Sequence, residues 1–145
     1  MSKSSTKYGS ILNDKTSTNT KITVKIGGTA TSFDKGIWAH ATSDLYYDLR
    51  NFSEYDYFYA YLGLNTTSTA RNGVTFVIST SNDGQDWTEK YRAPVSPNQN
   101  AVECRVPIEG ARYLRLYVND NGANGYRNGD VFKKWLWLFL IHTLH

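Results

Sequence analysis

The sequence is short of most features that would announce a chemistry. Its 145 residues include one cysteine, one methionine and three prolines. One cysteine excludes a disulfide framework within the chain and cannot build a metal site alone. In NAVECRVPIE the alternation places Val102, Cys104, Val106 and Ile108 on one face, so Cys104 reads as a small core residue rather than a reactive thiol. Charge of one sign is also missing: 16 basic and 13 acidic residues leave +3, spread along the chain. A nucleic-acid binder would concentrate a basic stripe, and no nucleic-acid partner is expected. The longest apolar run is WLWLFLI, Trp135 to Ile141. That is far below the ~20 residues of a spanning helix, so no membrane anchor is expected; the run reads as a buried strand or an interface. The opening MSKSSTKYGS has no apolar stretch of the signal-peptide kind, which fits a cytosolic protein or an excised module of a larger secreted one.

Catalytic signatures are equally scarce. The three histidines are His40, His142 and His145. No serine sits in a nucleophile-elbow context and no H-E-x-x-H occurs. The acids are scattered, without a pair marked out for glycoside hydrolysis. A non-catalytic domain is the expectation, with a catalytic domain kept as the weakest of three readings.

What the chain has is alternation and aromatic rings: 11 Tyr, 6 Phe and 4 Trp. Helical periodicity is absent, and period-two segments follow one another at polar breaks. In GIWAHA one face carries Ile37, Ala39 and Ala41, the other Trp38 and His40. In LYYDL the apolar set is Leu45, Tyr47 and Leu49. In YDYFYAYLGL one face holds Phe58, Ala60, Leu62 and Leu64, and the other Tyr55, Tyr57, Tyr59 and Tyr61. These strands are expected to fold back on one another. KITVKI places Ile22, Val24 and Ile26 inward, VTFVI does so with Val74, Phe76 and Ile78, and YLRLYV with Leu114, Leu116 and Val118. Asn82-Asp83-Gly84 is a tight-turn signal. Residues 1–20 read as a linker or lead-in, and 21–145 as one domain. Short strands with Gly-rich turns argue an all-β fold, an antiparallel β-sandwich or jelly roll.

The block KGIWAHATSDLYYDL, followed by FYAYLG, resembles the NPCBM domain, grouped as family 51 of the carbohydrate-binding modules. Its pattern is roughly K-G-I/L-x-x-H-A-x-S-x-I/L-x-Y-D-L, then F-x-A-x-V/L-G. Lys35, Gly36, Ile37, His40, Ala41, Ser43, Leu45, Tyr47, Asp48, Leu49, Phe58, Ala60 and Gly63 fall on it. GVTFVISTSNDGQDW, ARYLRLYVNDNG and the pair Asp130 and Phe132 extend the likeness over about 20–132. The resemblance implies a galactose-binding-domain-like sandwich, usually attached to secreted bacterial glycoside hydrolases or peptidases. It also implies ligands that lean to galactose and galactose-containing glycans such as blood-group determinants. The expected setting is extracellular, secreted or cell-surface, as a monomeric module of a larger protein. KKWLWLFLIHTLH departs from the family by being apolar on both faces.

A sugar site needs a ring for the C–H face of a pyranose, planar hydrogen-bonding partners for its hydroxyls, and rigidity. The axial 4-hydroxyl of galactose clears one ring face for stacking. The candidate ligand-binding residues are Trp38, His40, Trp87, Asn119, Asp120, Asn121, Tyr126 and Arg127. Each has a bland alternative. His40 can fix the rim by bonding backbone, Trp87 can pack inside its hairpin, and the tyrosine row can make cross-strand pairs. Tyr126 and Arg127 sit in NDNGANGYRNGD, a loop with no core duty. No cofactor is expected beyond a structural calcium, for which Asp120 and Asp130 are the candidate oxygen ligands. The second reading is a protein-interaction sandwich using the tyrosine face or the apolar C-terminus.

Overall fold

The computed structural model describes residues 5–6, 12–13, 21–34, 36–40, 43–50, 55–64, 73–96, 99–119, 121 and 135–144. Every regular element among them is a strand. In chain order these are β1 (Ser5–Thr6), β2 (Leu12–Asn13), β3 (Ile22–Ile26), β4 (Thr29–Phe33), β5 (Ile37–His40) and β6 (Ser43–Asp48). They continue as β7 (Tyr55–Gly63), β8 (Val74–Ser81), β9 (Thr88–Val95), β10 (Val102–Pro107), β11 (Tyr113–Asn119) and β12 (Trp135–Leu144). Two five-stranded sheets make the layers, in the orders β1-β6-β11-β8-β9 and β10-β7-β12-β5-β2, with every pairing antiparallel. The expected antiparallel sandwich is the observed fold.

Alternation fixes the core. Leu45, Leu116 and Ile78 are register partners across the first sheet and are 5%, 2% and 1% exposed. Ala60 pairs with Cys104 and Phe58 with Val106 in the second, and all four are buried. Each fully buried Leu or Ile contributes about 1.5–3 kcal/mol through removal of apolar area from water.

Two expectations are corrected. The strands of GIWAHATSDLYYDL and YDYFYAYLGL do not fold back on each other. β6 lies in the first layer while β5 and β7 lie in the second, separated by β12. Period-two alternation reveals which face is buried but carries no information on the neighbouring strand. Ile22 and Val24 are buried, yet outside the main core: β3 and β4 form a separate hairpin, packed with Phe33, Tyr61 and Ala101. The hairpin is tied down by the Ala101 amide donating to the Lys25 carbonyl at 2.7 Å, and the Gly28 amide to Asn100 Oδ1 at 2.9 Å. The apolar C-terminal run, expected as a buried strand or an interface, is a strand inside its sheet, with β7 on one side and β5 on the other.

Candidate functional site

Four passages between the layers occur at one end of the sandwich. The chain crosses there from β5 to β6, β7 to β8, β9 to β10, and β11 to β12. This follows from the register. Ser43 at the start of β6 pairs with Val118, Asn119 at the end of β11 pairs with Thr75, and Val74 pairs with Val95. In the other layer Trp135 pairs with His40 and Trp137 with both Trp38 and Gly63. His40, Asn119 and Thr75 therefore share this rim. Trp38 and His40 occupy outer-face positions of the second sheet, the face of Tyr61. Asn119 lies on the outer face of the first.

Beyond β11 the backbone turns sharply. Asn121 takes a left-handed φ of 54°, a conformation Asn tolerates better than most residues. The turn is fixed by the Asn121 amide donating to Asn119 Oδ1 at 2.8 Å, and by Thr75 Oγ1 donating to Asn121 Oδ1 at 2.7 Å. The Asn119 side-chain amide nitrogen has no partner among the described residues. Thr75 is a rim residue that the sequence reading passed over. Alternation in VTFVI puts Thr75 on the outer face, but only the β8–β11 register brings it beside Asn119.

Trp87 is elsewhere. It ends the Asn82–Asp86 turn at the opposite end, and its ring lies 5.6 Å from that of Tyr46. Asp120, Tyr126, Arg127 and Asp130 lie outside the described residues, as do the side chains of Trp38 and His40. Among the described residues no group of His, Cys, Asp or Glu could hold a metal ion.

Two described acids near the rim have partners. Asp44 accepts a bidentate bond from Arg115 at 2.6 and 2.7 Å. Glu103 accepts from the hydroxyls of Tyr59 and Tyr61, and these bonds hold its carboxyl below the ordinary range. Burial pushes the Cys104 thiol up to about 12, which leaves almost no thiolate at neutral pH. The tyrosine face is engaged as well. The Arg105 guanidinium lies 3.9 Å above the Tyr57 ring, and Phe33 stacks on Tyr61 at 5.8 Å. The first contact joins the paired strands β10 and β7, and the second lays the β3–β4 hairpin against Tyr61.

Among the described residues, then, this end of the sandwich carries a turn held by Asn119, Asn121 and Thr75 beside acids held by partners. The chain belongs to the NPCBM/NEW2 domain family, whose model matches residues 1–136. It is similar to the family 51 carbohydrate-binding module of the Clostridium perfringens family 95 glycoside hydrolase, solved in complex with methyl-galactose. The identity is 26%, over 97% of this chain and 92% of that one, with a TM-score of 0.77. A second family 51 module, from Clostridium perfringens ZmpB and solved in complex with GlcNAc, has the same fold. There the identity is 18% over 96% of this chain and 29% of that one, with a TM-score of 0.73. A Renibacterium salmoninarum protein named as an endo-alpha-N-acetylgalactosaminidase is 31% identical over 113 residues, 77% of this chain. The chain spans 7% of the length of that curated relative.

Proposed function

We propose that the protein is a non-catalytic carbohydrate-binding module that takes galactose or galactose-containing glycans, blood-group-like determinants among them, at the rim bearing His40 and Asn119. The observation that carries the reading is the likeness to a module solved with methyl-galactose, over nearly the whole of both chains. The Asn119 amide, whose nitrogen has no partner among the described residues, is of the kind that reads a sugar hydroxyl, and the Asn121–Thr75 bond supplies rigidity. Trp38, His40, Asp120, Tyr126 and Arg127 complete the proposed site. Trp87, at the far end, is left out of it.

The role is to hold an attached enzyme, a glycoside hydrolase or peptidase, near its substrate outside a bacterial cell. Such single sites are weak, and tethering raises the local concentration instead. The test is isothermal titration with galactose, N-acetylgalactosamine and lactose, with and without chelator, on the wild type, Asn119→Ala and Arg127→Ala. Saturable binding of the galactosides that both substitutions weaken supports the reading. Loss of binding on chelation would add a calcium ion at Asp120 and Asp130. Silence on all three sugars, with retention on a protein partner, would sink it in favour of an interaction module.

A further inference from the structure

A second site lies at the other end of the sandwich, away from the rim. The Asn82–Asp86 turn between β8 and β9 and the connection from β10 to β11 bound an open cleft of about 480 Å³. That is the size range of small-molecule sites. Thr80 lines its wall from the inner face of β8, is 6% exposed, and has no hydrogen-bond partner among the described residues. A buried hydroxyl left without a partner is uncommon and calls for a ligand or a bound water.

Three charged groups of the cleft are equally unspent. Asp86, Glu109 and Lys90 line it, and none of their side chains makes an ion pair or hydrogen bond among the described residues. Elsewhere the molecule pairs its acids. Asp34 binds Lys21, Asp44 binds Arg115, Asp48 binds Arg50, and Glu89 binds Arg92. Asp83 also faces the cleft. Its Oδ1 accepts from Ser81 Oγ and from the amides of Gln85 and Asp86, which fixes the turn that carries Asp86. Three carboxylates against one ammonium give the cleft a negative field, which favours a cation and rejects sulfated or uronic sugars. Among the described residues no aromatic ring lines it, and the recognition they offer is by charge and hydrogen bonds. The hydroxyls of Thr80 and Thr88 and the Asn82 amide suit a polyhydroxyl body.

From this we infer that the cleft is a binding site for a hexosamine carrying a free amine, as found in de-N-acetylated glycans. Asp86 and Glu109 receive the ammonium, while Thr80 and Lys90 meet the ring hydroxyls. The site is separate from the rim and does not depend on the galactose reading.

The test is a residue-resolved amide NMR titration of the whole chain at about pH 6, where a sugar amine is protonated. The ligands are D-glucosamine, N-acetyl-D-glucosamine and Nα-acetyl-lysine methylamide. Glucosamine is expected to shift amides in 80–90 and 107–111, saturating at about 1–20 mM. The double variant Asp86→Asn, Glu109→Gln should weaken this about tenfold, since it removes both attracting charges, while keeping the dispersion of the wild-type spectrum. Lactose, read at the rim amides, reports on the other site separately. Four results overturn the proposal: no saturable shift in these segments, an equal response to the N-acetyl sugar, an equal response to the lysine derivative, or unchanged binding by the double variant.

Discussion

Replacing Gly73 with alanine puts a methyl group where backbone already lies. A Cβ on Gly73 would sit 2.4 Å from the Val95 carbonyl oxygen and 3.1 Å from Ser96 Cα, and Gly73 holds a φ of +66°. The left-handed conformation costs an alanine about 1–2 kcal/mol. The overlap cannot be relieved by a side chain swinging away, because both obstacles are backbone. The start of the β8–β9 ladder, where Val74 pairs with Val95, must open, and losing one ladder bond adds about 1 kcal/mol. Gly110→Ala is the control. Gly110 holds a φ of +80° with nothing within 4 Å of its added Cβ, so only the conformational cost of about 1–2 kcal/mol applies. Urea unfolding of both variants separates the terms. With a slope of about 2 kcal/mol/M, Gly73→Ala should lower the midpoint by ~1–1.5 M and Gly110→Ala by ~0.5–1 M. Because Thr75 stands two residues beyond Gly73 and holds Asn121, lactose affinity should fall in the first variant and stay unchanged in the second. Equal midpoint shifts would refute the reasoning, since they would mean that the ladder yields without cost.

Thr75→Val keeps the shape of the side chain and removes the donor to Asn121 Oδ1; sugar affinity should drop about three- to tenfold, as for one hydrogen bond of about 1 kcal/mol, and an unchanged titration would remove Thr75 from the site. Asp83 offers a pH test. The amides of Asp86 and Gln85, followed by the Ser81 hydroxyl, hold its carboxyl below the ordinary 3.8, at about 2. A carboxylate lowered by folding stabilises the folded state fully above its unfolded value, so this contribution is whole above 3.8 and drains away as pH falls through about 2. Carbon-13 titration of the Asp83 carboxyl should show a midpoint near 2, and one near 3.8 would show that the turn does not hold it.

The faces of the strands were legible in the sequence, and their partners were not. Leu45, Leu116, Ile78 and Val106 are buried as alternation requires, and Asn82-Asp83-Gly84 forms its turn. Alternation is a local property, set by which side of a strand meets water. Whether β5 pairs with β7 or with β12 depends on residues about a hundred positions away, and nothing in GIWAHA records that. The hairpin of β3 and β4 was misplaced for a related reason: a buried face at Ile22 and Val24 looks the same whether it meets the main core or, as here, Tyr61 and Ala101. At the site, the Asn and Gly content after Val118 drew attention to a segment of which Asn119 and Asn121 are described. The Thr75–Asn121 bond could not, since it joins residues 46 apart in the chain. The far cleft was invisible for the same reason: Thr80, Asp86 and Glu109 meet only after β10 has placed its turn beside that of β8 and β9.

The departure of the C-terminal run from the family pattern becomes intelligible once β12 has neighbours on both edges. A strand in the middle of a sheet satisfies its backbone on both sides, and its composition is then set by what lies above and below it. One set of β12 positions shares the inner face with Leu62 and Ala60, both of which are 0% exposed. The other set pairs with Tyr61, Tyr59 and Tyr57 on the outer face, where the β3–β4 hairpin also rests through Phe33. The two faces of β12 therefore share their sheet positions with different neighbours, core residues on one side and the tyrosine row on the other. The same placement explains why the rim is a tolerant location for a site. Four layer crossings converge there from strands whose cores are already complete, so residues such as Asn119 can be chosen for a ligand rather than for packing. Substitutions in the rim segments should therefore move sugar affinity with little change in unfolding midpoint, whereas Leu116→Ala, which opens a cavity in the layer between the sheets, should cost about 2–5 kcal/mol.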